Sequence, residues 1–351
     1  MDTATPQALA LRVLEVGHTT RTAACGYLLS GVGATVTKLV VTDTGDVGDA
    51  DRAALGKAES LYLDHGKSIR VVSAGADASA EAVLDGVDVV LSGSDADLVA
   101  LLGADAAGLR ATRPQLVVAL ATVFGRSGEY GSYVGGDLLA LALGGLLSVI
   151  GERDREPLRL GGSQAEYSAG LALFTAVMTG LFARETSGLG ALVETSAVRT
   201  VAYLDWKSHV YYADRGIVLQ RGSDSGPLVL QCADGYVGFY YRDEEWPEVK
   251  ALVADARLED ERFATQLGRD KHRTEFAAIM NDFSRRLPRK ELYHLSQARH
   301  IPAGSVLGMD ELADDPQMKA REFFGTRIAD GVPVTVPRLP WTVDGIREGQ
   351  S

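Results

Sequence analysis

The chain has 351 residues, of which 35 are Lys or Arg and 47 are Asp or Glu, so its formal net charge is −12. Apolar residues make up 46% and charged residues 23%, a composition that excludes intrinsic disorder and is typical of a folded globular protein. The acidic balance argues against nucleic-acid binding, because that affinity depends on Lys and Arg meeting phosphate. The length corresponds to roughly two domains.

Cysteine usage and apolar runs predict a cytoplasmic protein without a membrane segment. Cys25 and Cys232 belong to no CxxC pair and to no Cys/His cluster, so we expect two reduced thiols. The six histidines show no HxxxH or HxH spacing with a carboxylate, and no metal site is predicted. The first residues lack a cationic start followed by an apolar stretch. The most apolar run, 138–150, is shorter than the roughly 20 residues that a membrane span needs.

Short apolar runs alternate with segments of helical length in the first third of the chain. The runs typical of strands are 12–16, 35–41, 69–73, 87–93 and 116–123, and the helical segments include 23–33, 81–86 and 97–112. Apolar strands separated by helices indicate a parallel sheet covered on both faces, and hence an α/β domain. His18 follows the first strand closely, where the ligands of open α/β sheets gather.

The rest of the chain predicts a second, smaller domain. Two apolar helices are predicted between residues 137 and 184, with the Gly- and charge-rich stretch 151–162 between them. Residues 191–225 have low apolar density and are interpreted as a linker or mobile loop that includes RGSDSG at 221–226. A D-G turn within 227–241 predicts a hairpin. The architecture expected is an α/β domain, a linker and a smaller α+β domain, with a tail that returns to the first.

Three local patterns are candidate sites. Gly161 to Ala165 is a near match to the nucleophile elbow of serine hydrolases, but the residues before it are polar and contain proline, where the elbow requires a strand. Gly31-Val-Gly33 lies at a helix end and lacks a third glycine, which does not support dinucleotide binding. Glu166 begins an apolar, small-residue helix, where the dipole and unpaired amides favour negative charge. Composition alone does not separate a functional Glu166 from a structural one.

Several segments together resemble the class III coenzyme A transferase family, the carnitine-dehydratase and bile-acid-inducible type, which also holds the α-methylacyl-CoA racemases. These segments lie at 12–39, 61–69, 124–152, 165–196, 233–237, 257–263 and 300–324. The most specific is DDPQMKAREFF at the end of the last segment, because D-P-Q followed by R-x-F-F is unusual outside that family. The resemblance runs almost from end to end.

The resemblance implies a fold and an assembly. It implies a large Rossmann-like domain from residues 1–197 and 312–351, a linker at 198–225 and a small α+β domain at 226–311. It also implies an interlocked homodimer whose two chains thread through each other, or, as an alternative, a heteromer with a related chain. The implied substrates are an acyl-CoA and a carboxylic acid, with no tightly bound cofactor.

The resemblance also implies a mechanism. In the family's transferases a carboxylate attacks the acyl-CoA thioester, giving a mixed anhydride and then an enzyme–CoA thioester from which the acceptor acid takes CoA. Glu166 matches the position of the family's Asp nucleophile. The extra methylene moves the carboxylate by about 1 Å, and a displacement of that order can cost about 100-fold in rate. Amides at the helix start are expected to stabilise the oxyanion.

Two hypotheses follow from this match. The chain is either a CoA-transferase with Glu166 as its nucleophile, or a non-catalytic family member, a partner subunit or an acyl-CoA-binding protein. Racemisation is disfavoured, because Gly136 stands where the racemases have a histidine that acts as acid and base.

The coenzyme A contacts implied by the resemblance are thinned in this chain. They fall on His18, Thr19, Thr20, Arg21, Lys38, Gly136 and Asp137. The family's A-G-P after the first strand is Arg21-Thr22-Ala23 here, and its F-R-P-G segment is replaced by the acidic SGSDAD at 92–97. We expect Arg21 to replace a lost phosphate contact.

Overall fold

The chain divides into two compact units in a computed structural model. The first comprises residues 1–221 and 323–351, and the second residues 222–322. The structure describes residues 9–41, 50–72, 80–222, 226–329 and 331–342. Sequence predictions for the first eight residues, for part of the RGSDSG segment and for the end of the C-terminal tail fall outside these ranges.

The first unit alternates strands and helices along the chain. Its elements are β1 (Arg12–Val16), α1 (Thr20–Gly31), β2 (Thr35–Val41), α2 (Ala50–Leu63), β3 (Ser68–Val72), α3 (Ala80–Leu84), β4 (Val89–Ser92), α4 (Asp95–Leu102), α5 (Ala106–Thr112), β5 (Val117–Thr122), α6 (Asp137–Leu143), α7 (Gln164–Ser187), β6 (Leu192–Ser196), α8 (Ala197–Leu204) and α9 (Trp206–Arg215). The α/β pattern predicted for the first third is therefore confirmed.

Six strands form one parallel sheet in the order β3-β2-β1-β4-β5-β6. Their buried side chains alternate between two cores: Val13 and Ala119 pack with α1 and α7, whereas Leu14 and Val118 pack with α4 and α5. The sheet is thus covered on both faces, as predicted. The strand order reverses direction between β1 and β4, and in open α/β sheets ligands bind outside the carboxyl ends of the strands at such a point.

Helix α7 packs closely against α1. Its buried face includes Ala169, Gly170, Leu173 and Val177, which pack against α1 and the sheet. A Cβ on Gly170 would lie 2.8 Å from the carbonyl oxygen of Arg21, so the glycine allows the two helices to approach. Among the described residues, α7 is the one helix whose length and composition would suffice to cross a membrane. Its packing against the sheet is typical of a core helix.

Two sequence predictions differ from the structure. The single helix expected at 97–112 is two helices, because Gly103 takes a left-handed conformation and Asp105 caps a new helix. The linker expected at 191–225 contains β6, α8 and α9 in the part that the structure describes. Its low apolar density has a physical reason, since α9 has no buried residue.

The C-terminal segment returns to the first unit, as predicted. Strands β10 (Phe324–Ala329) and β11 (Val332–Pro337) form an antiparallel pair. Arg327 donates a hydrogen bond to the carbonyl oxygen of Tyr62. Trp341 stacks on Phe174 of α7, with ring centroids 5.5 Å apart.

The second unit has a three-stranded antiparallel sheet packed against helices. Its elements are β7 (Leu228–Cys232), β8 (Gly235–Phe239), α10 (Trp246–Val253), α11 (Gln266–Lys271), α12 (Arg273–Ser284), α13 (Arg289–Gln297), β9 (Ala303–Ser305), α14 (Met309–Leu312) and α15 (Pro316–Ala320). The pairing of β7 with β8 confirms the predicted hairpin. The hydrophobic core of this unit includes Phe239, Phe263 and Phe276.

Both cysteines are free and buried, one in each unit, which confirms the thiol prediction. Burial raises the pKa of the Cys25 thiol well above its ordinary range, and the nearby Glu15 carboxylate adds to the effect. Burial also raises the pKa of Cys232. Because the thiolate is the reactive form, neither cysteine is a candidate nucleophile.

Candidate active site

Glu166 and Arg21 form a buried ion pair next to the carboxyl end of β5. Glu166 is the third residue of α7, and Arg21 is the second residue of α1. Nη1 of Arg21 donates to Oε1 of Glu166 at 2.8 Å and to Oε2 at 2.7 Å. Nε of Arg21 donates to the carbonyl oxygen of Ala121 at 2.6 Å. The carboxylate that the resemblance marks as a nucleophile is therefore held between two helices and a strand.

Asp137 caps the helix that carries Glu166. Its Oδ1 accepts hydrogen bonds from the backbone N–H groups of Ala165, at 2.8 Å, and Glu166, at 3.4 Å. The N-cap residue Ser163 makes no side-chain capping bond, so Asp137 fills this role from a distant part of the chain. These amides were expected to stabilise an oxyanion. In this arrangement the amides of Ala165 and Glu166 already donate to Asp137, so the role of the helix start toward an oxyanion stays a prediction.

A small cavity brings together four of the predicted coenzyme A contacts. Its volume is about 60 Å³, and His18, Thr19, Thr20 and Lys38 line it together with Glu59 and Asp64. It lies beside the loop between β1 and α1, at the carboxyl edge of the sheet. It is far smaller than the roughly 300–1,000 Å³ of a typical ligand pocket, so by itself it does not enclose a ligand of the size of coenzyme A.

Lys38 is part of a buried cluster of four charges. Its Nζ lies 2.8 Å from Asp64 and 3.5 Å from Glu15, and Lys67 lies 2.6 Å from the other oxygen of Glu15. Two lysines and two carboxylates neutralise one another, which satisfies charges that would otherwise be costly to bury. Lys38 is thus occupied by protein carboxylates, although it borders the cavity.

The predicted residues fall into two groups. Glu166, Arg21 and Asp137 contact one another or the same helix start, and Gly136 is the N-cap residue of α6, which Asp137 begins. His18, Thr19, Thr20 and Lys38 line the cavity. Arg21 was expected to reach a phosphate, but the structure pairs it with Glu166. Among the described residues, no group of three or more His, Cys, Asp or Glu side chains is placed to hold a metal ion.

The family model for CoA-transferase family III matches residues 10–350. The chain belongs to this family. Family III relatives named as CoA-transferases support coenzyme A transfer in general, with CoA thioesters as substrates. The resemblance inferred from the sequence is therefore confirmed.

Two family III relatives and one solved structure illustrate the similarity. The succinate–glutarate CoA-transferase of Agrobacterium fabrum is 25% identical, over 95% of this chain and 89% of the relative. Subunit BbsE of the succinyl-CoA:(R)-benzylsuccinate CoA-transferase of Thauera aromatica is 26% identical, over 80% of this chain and 73% of that subunit. A CAIB/BAIF family protein from Brucella suis has a TM-score of 0.79 at 26% identity, covering 95% of this chain and 91% of that one.

Two contacts of this candidate site could not be predicted from the sequence. Nothing in the local sequence of α1 indicated that Arg21 meets Glu166, because that contact depends on how α1 and α7 pack. The cap from Asp137 was missed for the same reason. One signal was present for the buried charge cluster: Glu15 lies within the apolar run RVLEV, and a charge in a buried strand requires a partner.

Proposed function

We propose that the protein transfers coenzyme A from an acyl-CoA to a carboxylic acid, with Glu166 as the nucleophile. The observation that carries this proposal is the position of Glu166. The residue is 7% exposed and lies in the first turn of α7. Its partner Arg21 binds the end of β5 at the carboxyl edge of the sheet. A buried carboxylate with few surrounding waters is protected against hydrolysis of its acyl derivatives.

The reaction balances without an added cofactor. A Glu166 oxygen attacks the acyl-CoA carbonyl, the C–S bond breaks, and a mixed anhydride and CoA thiolate form. The thiolate attacks the glutamyl carbonyl, which releases the first acid and leaves CoA as a thioester on Glu166. The acceptor carboxylate then reverses these steps and regenerates Glu166. Covalent catalysis of this kind divides one difficult transfer into easier ones.

The test is to trap the covalent intermediate. Succinyl-CoA is a suitable donor, since one relative is named for succinate and glutarate. We expect incubation followed by hydroxylamine or borohydride to modify Glu166, as located by peptide mass spectrometry. Glu166→Gln should give no adduct, because an amide is not nucleophilic. Glu185→Gln, on the exposed side of the same helix, is the matched control and should leave the adduct unchanged.

The second candidate function is a non-catalytic partner subunit or acyl-CoA-binding protein. The ion pair with Arg21 favours it, since both carboxylate oxygens are bound and a family III nucleophile has to be free to attack. The same trapping experiment decides between the two. Bound CoA without an adduct at Glu166 would support the second function and contradict the first.

The proposal also covers the oligomeric state, the coenzyme A contacts and the cellular location. We propose an interlocked homodimer, with a heteromer as the alternative that the named subunit of a relative supports. The strand order of the first unit is that of dinucleotide-binding folds, which supports the Rossmann-like assignment. We propose that His18, Thr19, Thr20 and Lys38 contact coenzyme A, and that the enzyme acts in the cytoplasm.

A further inference from the structure

Arg21 has more binding capacity than Glu166 uses. Its guanidinium carries five N–H donors in one plane. Nη1 contacts both oxygens of Glu166, and Nε contacts the carbonyl oxygen of Ala121. In the part of the chain that the structure describes, Nη2 has no hydrogen-bond partner, although the whole residue is only 9% exposed. The Nη2 edge of this buried guanidinium is therefore available to bind a ligand.

The charge of this pair changes during the proposed reaction. The free enzyme has a positive guanidinium against a negative carboxylate. Once Glu166 carries CoA as a thioester, it is neutral, and Arg21 loses its counter-charge. Asp137 is an acidic residue at the same helix start, but it already has other partners. Its Oδ1 accepts from a backbone amide, and its Oδ2 lies 3.8 Å from Nη2 of Arg159. A buried guanidinium without a carboxylate partner is unfavourable, so an incoming anion is strongly favoured.

We infer that Arg21 binds the carboxylate of the acceptor acid after Glu166 has been converted to its CoA thioester, an inference that rests on the proposed function. The guanidinium fork matches a carboxylate through two parallel hydrogen bonds, here from Nη1 and Nη2. Glu166 is uncharged in both the anhydride and the thioester, and the acceptor acid enters in the thioester state, after the first acid has left. Arg21 thus alternates between Glu166 and the substrate acid.

This position serves the second half of the reaction. The oxygens of Glu166 lie within 2.8 Å of Nη1, so an acid bound to Arg21 lies next to the glutamyl carbonyl. Its oxygen attacks that carbon, the C–S bond breaks, and CoA thiolate leaves. The thiolate then attacks the acyl carbonyl of the anhydride and breaks its bond to Glu166. The carboxylate of Glu166 returns to Arg21, which closes the cycle.

The first test uses Glu166→Gln as an uncharged replacement for the thioester. Glutarate is titrated by NMR, and its diamide serves as the uncharged control. We expect Glu166→Gln to bind glutarate at least about tenfold more tightly than the unmodified protein, as hydrogen bonds to charged groups allow. The double variant Arg21→Gln/Glu166→Gln should lose this gain, and the diamide should not bind. Equal glutarate binding by the single variant and the unmodified protein would overturn the inference.

The second test needs no variant of Glu166. The glutamyl–CoA form is prepared with succinyl-CoA, in the unmodified protein and in Arg21→Gln, and is reacted with glutarate or with neutral hydroxylamine. We expect Arg21→Gln to slow the reaction with glutarate at least about tenfold and the reaction with hydroxylamine less than about twofold. Parallel loss of both rates would mean a purely structural role. Absence of an adduct in the unmodified protein would overturn the proposed function, and the titration above would then decide the carboxylate site alone.

Discussion

Arg269 is a buried charged residue that packs against two aromatic rings in the core of the second unit. It is 1% exposed, its guanidinium lies 4.2 Å from the ring centroid of Trp246 and 5.2 Å from that of Tyr241, and Nη1 donates to the carbonyl oxygen of Phe263. Asp243 provides the counter-charge. A charge in this position is stabilised by aromatic faces and hydrogen bonds together.

The phenol of Tyr241 predicts how stability depends on alkaline pH. Burial raises the pKa of Tyr241 to about 12, and the opposing charge of Arg269 is the smaller influence. The unfolded chain loses this proton near pH 10, whereas the folded chain keeps it, so the folded state is destabilised as pH rises from 10 to 12. The free energy of unfolding should fall by at most about 1.4 kcal/mol per pH unit from this residue.

Tyr241→Phe should remove this contribution. Urea unfolding at pH 9, 10 and 11 gives the free energy of unfolding of both proteins. Between pH 10 and pH 11 this free energy should fall less in the variant than in the unmodified protein. Between pH 7 and pH 9 the two proteins should lose or gain stability in parallel, which serves as the internal control. Identical pH dependence above pH 10 would contradict the assignment.

At the scale of elements, the start of α7 depends on Asp137. Removing a helix cap costs about 0.5–2 kcal/mol of stability, so Asp137→Ala should lower the free energy of unfolding by that amount. Because the same carboxylate fixes the first turn of α7, we also expect adduct formation at Glu166 to fall at least about tenfold, as small displacements of a reacting group allow. Urea unfolding and the trapping assay measure the two effects.

Asp105→Ala is the matched control for this prediction. Asp105 caps α5, where its Oδ1 accepts from the N–H of Gly108 at 2.8 Å, on the opposite face of the sheet from α7. It should lose similar stability and keep full adduct formation. If both variants reacted equally slowly, the cap would have no specific influence on Glu166.

Local signals in the sequence sufficed for most elements and failed where tertiary packing decides. The apolar runs at β1, β4 and β5 gave strands because these strands are buried on both faces, which leaves no polar alternation, whereas β3 at the edge of the sheet is largely exposed. Helix α9 was missed because none of its residues is buried, so its sequence carries no apolar stripe toward this chain's own core. Helix α8 does bury Ala197 and Val201, but it is only eight residues long. The break at Gly103 was readable, since glycine followed by Asp105 combines a helix end with a new cap.

At the scale of the whole molecule, the site could be predicted only as far as the family pattern reaches. The proposed match of Glu166 to the family's nucleophile position rests on a motif within one helix. Its pairing with Arg21 joins residues 145 positions apart and depends on the packing of α7 on α1. No single segment of the sequence therefore indicates this contact. The same is true of Asp137, whose capping role joins two helices.

The exposed apolar side chains of α8 and α9 support the proposed homodimer. Tyr203, Trp206, Val210 and Tyr212 are each more than half exposed, and α9 has no buried residue. Several exposed apolar side chains on two consecutive helices of a folded chain are typical of an interface. Light scattering coupled to size exclusion should give twice the chain's 37.3 kDa, and Val210→Glu with Tyr212→Glu should reduce that species.

Threading of the two chains makes a sharper prediction than dimer formation. Interlocked chains cannot separate without unfolding, so mixing tagged and untagged dimers should give no mixed dimers until both are unfolded and refolded together. Leu267→Glu is the control for the interface variants, because Leu267 is 80% exposed on α11 of the second unit and stands apart from α8 and α9 in the sequence. It should leave the mass of the particle unchanged. Rapid exchange of folded subunits would contradict interlocking and leave a simple dimer, and a monomeric unmodified protein would contradict both.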